Sequence, residues 1–155
     1  MTVKHIQHMQ KSLDQMNLHL HHVMSDLTGV TGMRILRAIV AGERDPRTLA
    51  TDRDYRIKSS ADTIAQALEG DYRPEHVFTL TPSLALYDFT QQQLAACDEE
   101  IERVLRTLDS LVDPDEPPLP PPTTAHRQPQ RNEPAFDLRT HLYRSTGVDL
   151  TPVPG

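Results

Sequence analysis

The first apolar positions of the chain fall at Ile6, Met9, Leu13, Met16, Leu20, Val23 and Leu27, alternating steps of three and four without interruption. Such steps set side chains along one stripe of an α-helix, and about three heptads of them make an a/d seam. The spacing predicts one continuous helix through Leu27 that needs a partner helix, in a coiled coil or in an ordinary bundle. Gly29 and Gly32 predict a change of direction. Met33–Ala41 then reads as a short second helix buried on most sides, with Arg34 and Arg37 sharing a face and Gly42 at the C′ position. Pro46 suits the first turn of a third, highly charged helix. Ser59-Ser60-Ala61-Asp62 matches a capping box with Ser59 as N-cap, for a helix that runs to about Leu68 and stops at Gly70. After a short segment from Pro74 through Phe78, Thr81-Pro82 predicts an N-cap followed by proline at N1, opening a long helix to about Val112. Its seam is Leu80, Leu84, Tyr87, Gln91, Leu94, Asp98, Ile101, Leu105, Leu108 and Val112, with Gln91 and Asp98 as polar insertions that fix register or partner number.

After Val112 the periodicity ends. DPDEPPLPPP is proline-rich and acidic, and residues 113–134 read as an extended linker. Within it PPLPPP is a stiff spacer or a ligand for a proline-binding module. Residues 135–155 offer one short amphipathic helix, carrying Phe136, Leu138, Leu142 and Tyr143, with nothing after it to pack against. The expected fold class is all-α: an extended helical or coiled-coil bundle over residues 1–112, a proline-rich linker over 113–134, and a short C-terminal helix.

Composition narrows this picture. In 155 residues there is no tryptophan, and the hydrophobic fraction of 37% falls below the usual globular share, so the core is modest and seams between helices carry more of the burial. The net charge of −6 is unevenly spread. Between Thr28 and Lys58, seven cations (Arg34, Arg37, Arg44, Arg47, Arg53, Arg56 and Lys58) face four acids, whereas between Asp98 and Glu116 eight acids face two arginines. The first stretch is the candidate nucleic-acid-binding surface, through phosphate contacts by those seven side chains. Cys97, the lone cysteine, excludes an internal disulfide or a thiolate metal cluster. With no signal-peptide pattern and no apolar run of membrane-spanning length, a reducing cytoplasm is the expected compartment, and no membrane partner is expected.

Little of the chain reads as catalytic. Gly29 and Gly32 lack the spacing, the following lysine and the preceding strand of a phosphate-binding loop, so a hinge between packed helices is the leading reading. Amides at the start of the second helix, together with Arg34 and Arg37, remain a candidate for a nucleic-acid phosphate. The eight histidines (His5, His8, His19, His21, His22, His76, His126 and His141) include i,i+3 pairs but no carboxylate or thiolate at fixed metal-ligand spacing, and are expected to be solvated, with no metal. No nucleophile–base motif is present.

The segments HIQHMQKSLDQMNLHLHHVMSDLTGVTGMRILRAIVAGERDPRTLA, SADTIAQALEGDYRPEHVFTL, LALYDF and FDLRTHLYRSTGVDLT resemble the insertion-sequence-110 type of transposase, the bridge-RNA-guided DNA recombinases. That resemblance implies the central coiled-coil region of a larger protein. In the family an RNase H-like domain with four magnesium-binding acidic residues precedes this region, and a domain bearing the serine nucleophile follows it. No residue of this chain matches the acidic tetrad or the serine. The expectations are therefore no catalytic residue and no cofactor in this chain, although magnesium belongs to the full-length family. Expected partners are a second copy or an intact transposase through the heptad helices, and bridge RNA or DNA. The resemblance implies that residues 135–155 are a truncated start of the serine domain. A standalone helical protein that pairs with and modulates an intact transposase is the alternative.

Overall fold

The computed structural model describes residues 2–51, 53–113, 119–120 and 133–150. Most of the proline-rich linker, including all of PPLPPP but Leu119 and Pro120, and residues 151–155 lie outside them. Every regular element among the described residues is helical: α1 (Thr2–Gln15), α2 (Leu20–Val23), α3 (Val30–Val40), α4 (Pro46–Thr51), α5 (Ala61–Ala67), α6 (Pro74–Thr107) and α7 (Leu138–Thr146). The chain forms two compact units, residues 1–91 and 92–155, and the boundary falls within α6.

In the first unit the opening heptad does not build one helix. α1 stops at Gln15, and Asn17 takes φ 60°, the left-handed conformation that asparagine tolerates better than most residues. The Leu18 amide donates to the Leu13 carbonyl and the Asn17 amide to Asp14, the paired bonds of a Schellman stop. Leu18, on the outside of the predicted seam, is instead fully buried. The break is held from outside the helix as well. The His19 amide donates to Ala67, and the Asp71 amide donates to Met16 at 2.8 Å. A β-carbon on Gly70 would lie 2.2 Å from the Met16 carbonyl oxygen, so only glycine allows this approach. The seam residues remain inside all the same: Ile6, Met9, Leu13, Met16, Leu20 and Leu27 are buried, and Val23 packs against them.

α3 follows with Thr31, Gly32, Met33, Ile35, Leu36 and Ile39 buried and Arg34 and Arg37 exposed, as the pattern anticipated. It starts three residues before the predicted Met33, so Gly32 lies inside the helix. It closes in a second Schellman stop, with Gly42 at φ 108° and bonds from Gly42 to Ile39 and from Glu43 to Ala38. α4 begins at Pro46, and the Asp45 carboxylate accepts the Thr48 amide and hydroxyl. Those hydrogen bonds, the side-chain one first, hold the Asp45 carboxyl below its usual range.

Two caps differ from expectation. The N-cap of α5 is Ser60, which accepts the Thr63 amide, while Ser59 donates to the Val23 carbonyl at 2.7 Å. Thr81 is no N-cap. Its hydroxyl donates to Val77, and α6 passes straight through Pro82. Proline inside a helix costs about 3 kcal/mol. Burial of Leu80, Ser83 and Leu84 on both sides of Pro82 offsets that cost by fixing the flanking backbone against the core.

Among the described residues, the second unit contains no member of the buried core cluster. α6 ends at Thr107 rather than near Val112. α7 is capped by Asp137, whose carboxylate accepts the Thr140 amide and hydroxyl and is held below its usual range by those bonds. α7 is also not left without a neighbour. The Ala135 amide donates to Asp98 at 3.0 Å, His141 Nε2 lies 3.5 Å from Glu102, and the Leu111 amide donates to Arg144 at 2.7 Å. The polar seam position Asp98 thus accepts a backbone amide just upstream of α7. Arg139 bridges both carboxylate oxygens of Asp149 and donates to the Pro120 carbonyl.

Candidate functional site

A cleft of about 760 Å³ opens in the first unit at the start of α3, where Gly29 to Gly32 form part of its wall. Gly29 is the N-cap and has no side chain with which to accept an amide. The first N–H groups of α3 therefore present the positive end of the helix to this cleft. Asp26 accepts the Thr28 amide and hydroxyl just upstream, which fixes the turn into the helix. Across the cleft stand Arg56 and Lys58, with His21 and His22 on its wall. Asp26 and Asp54 line it too, so its two full cations are matched by two acids.

Of the seven predicted contacts, Arg56 and Lys58 line this cleft and the other five do not. Arg34 and Arg37 are on the exposed face of α3 and do not line the cleft at its start. Arg37 pairs with Asp88 at 2.8 Å. Arg44 donates to the Ile39 and Glu43 carbonyls and lies over the Tyr72 ring, 5.3 Å from its centre. Burial pushes the Tyr72 phenol up to about 12, and its hydroxyl donates to Leu68, which makes it a packing group. Arg53 spends its guanidinium on the Ile57 and Ser59 carbonyls and closes the loop between α4 and α5. Arg56 stacks on Tyr55 and donates to its hydroxyl. Among the described residues, the exposed side chains of Arg34 and Lys58 make no hydrogen bond or ion pair, while the exposed Arg47 lies beside Asp45, whose carboxylate accepts its backbone amide. The arginines nearest the tertiary core are thus engaged in holding loops, and the cations available at the α3 terminus are Arg56 and Lys58.

No protein-family model, curated protein or solved structure matches the chain.

A second feature was only half legible in the sequence. Leu80, Leu84 and Tyr87 are buried in the first unit, but in the second unit the predicted seam divides. Asp98, Leu105 and Val112 are half-buried, while Leu94, Ile101 and Leu108 are about half exposed. Leu94, Cys97, Ile101 and Val104 repeat steps of three and four along one face of α6, at 51%, 48% and 44% exposure for Leu94, Ile101 and Val104. Cys97 is exposed and free. No described helix is long and apolar enough to cross a membrane, so this stripe is not a spanning segment.

Proposed function

We propose that this chain is the helical central region of an insertion-sequence-110 type transposase, acting in DNA transposition by self-association and by backbone contact with bridge RNA or DNA. The observation that carries the association is the Leu94–Cys97–Ile101–Val104 stripe. It has the spacing of a coiled-coil seam and stands exposed on a helix. The occupant is the same stripe of a second copy, or of an intact transposase in the modulator reading. Cutting and joining of DNA belong to the acidic and serine domains of the full recombinase, and this chain contributes no catalytic residue. A reducing cytoplasm fits the exposed thiol of Cys97.

Sedimentation at increasing protein concentration tests the association. A dimer is expected, and Ile101→Asp with Val104→Asp should weaken it at least tenfold by placing charges in the seam. A chain that stays monomeric at the highest concentrations rejects the proposal.

Nucleic-acid contact has its own support, in the cleft where the open α3 terminus meets Arg56 and Lys58. Two phosphate contacts there predict about a tenfold loss of affinity between 50 and 200 mM salt. Arg56→Gln with Lys58→Gln should flatten that dependence. Gel-shift titration with a bridge-type RNA or duplex DNA reads both, and no shift at low salt excludes this contact.

A further inference from the structure

The histidines expected to be merely solvated are brought together by the break after α1. His19 precedes α2 directly, and His21 and His22 lie within it. One ring nitrogen from each of the three lies within 4.8 Å of the other two. The His21 and His22 ring centres are 4.1 Å apart, and that of His19 is 6.0 and 5.7 Å from them. We propose that His19, His21 and His22 bind one divalent transition-metal ion of the zinc type.

Three features of the chain argue for it. The first is donor chemistry. Imidazole nitrogen suits zinc, nickel and copper, and three histidines with an open fourth position are an established zinc arrangement. Tetrahedral bonds of about 2.0–2.1 Å put ligand nitrogens roughly 3.4 Å apart. The three rings are exposed, so they can close the remaining distance by rotating their side chains without disturbing the core.

The second is a pinned backbone. The His19 amide donates to Ala67, Leu20 is buried between the ligands, and the Val23 carbonyl accepts the Ser59 hydroxyl. The ligands therefore project from a short turn fixed to α5, and little backbone freedom is lost on binding.

The third is the set of outer partners. His19 Nε2 lies 3.0 Å from Asn17 Oδ1, and His21 Nδ1 lies 3.8 Å from Asp14 Oδ1. A hydrogen bond to one ring nitrogen selects the tautomer that leaves the other free for metal, and a carboxylate beside a ligating histidine is the usual outer group. Asn17 is the residue whose left-handed conformation ends α1, so the same turn that stops the helix sets this partner in place. Asp14 supplies a fourth ligand or the outer carboxylate.

The test is calorimetric titration of Zn²⁺ into the full chain without a histidine tag, with Co²⁺ absorption as a second readout. One ion per chain is expected, with tetrahedral cobalt bands. Replacing His19→Gln or His22→Gln should weaken binding at least tenfold. Asp14→Asn should weaken it on the order of tenfold, as outer-partner changes do. His8→Gln and His76→Gln should leave the affinity unchanged. Circular dichroism melts checking that each variant keeps its fold are part of the measurement, and these exposed positions should show no shift. Binding of equal strength in the triple variant His19→Gln, His21→Gln, His22→Gln, or no saturable binding by the unaltered chain, overturns the proposal. It stands or falls apart from any contact with nucleic acid.

Discussion

Gly32→Ala is expected to destabilise the first unit by about 3 kcal/mol, the upper end of overpacking costs. A β-carbon at Gly32 would sit 2.0 Å from the Leu27 carbonyl oxygen, 2.7 Å from its carbonyl carbon and 3.0 Å from its α-carbon. All three are backbone atoms, so no rotamer change relieves the clash. Either α3 or the segment before it has to move, and Met33, Leu36 and Ile39 would move with α3. The sign is what makes the experiment informative. Helix propensity alone favours alanine over glycine by roughly 0.8–1 kcal/mol, so a local reading predicts stabilisation. Urea denaturation followed by circular dichroism separates the two, and a raised midpoint would show that α3 does not approach Leu27 this closely. Gly29→Ala is the matched comparison. Its nearest atom is the Asp26 carbonyl oxygen at 3.3 Å, which a shift of a few tenths of an ångström accommodates, so its cost should be much smaller.

The second large effect is expected at Leu18. On a continuous heptad through Leu27, this residue lies on the face opposite the seam, and truncating it would change stability by less than about 0.5 kcal/mol. In the structure it is fully buried, and its side chain would lie only 2.7 Å from a β-carbon added to Gly70. Leu18→Ala should therefore cost about 2–5 kcal/mol, the range for a leucine removed from a core. Val3→Ala, at an exposed position of α1, should be close to neutral. Equal, small effects at both positions would restore the single long helix and remove the turn that gathers the three histidines.

These two residues show where the sequence stopped being sufficient. The heptad identified which side chains are buried, because burial requires only that apolar groups recur on one side of the chain. It did not reveal the break, because apolar steps of three and four are equally satisfied by a helix, a tight turn and a second short helix. The one local signal was Asn17, which tolerates a left-handed conformation, but it carries less weight in a pattern than glycine does. The same ambiguity misplaced the cap at Ser59. Two adjacent serines offer equivalent hydroxyls, and the bond from Ser59 to Val23, 36 residues away in sequence, decided which one was free to cap α5. At Pro82 the local rule pointed to a helix start, and contact with the core overrode it. The candidate site divides in the same way. The run of arginines was visible as charge, yet the sequence held no sign that Arg44 and Arg53 would be occupied by nearby carbonyls.

By itself the sequence determined that the chain is all-α, that its apolar side chains lie on helical stripes, that Gly42 ends a helix and Pro46 begins one, and that positive charge concentrates before Lys58. Each of these follows from short-range sterics, hydrogen bonding or composition, which act within a few residues. Only the tertiary structure decided that the first helix breaks at Asn17, that Gly32 and Gly70 allow backbone to touch backbone, which cations remain unpaired, and that His19, His21 and His22 converge. Those outcomes depend on atoms far apart in sequence meeting at a few ångströms, where a single β-carbon or carbonyl outweighs the preference of the local segment.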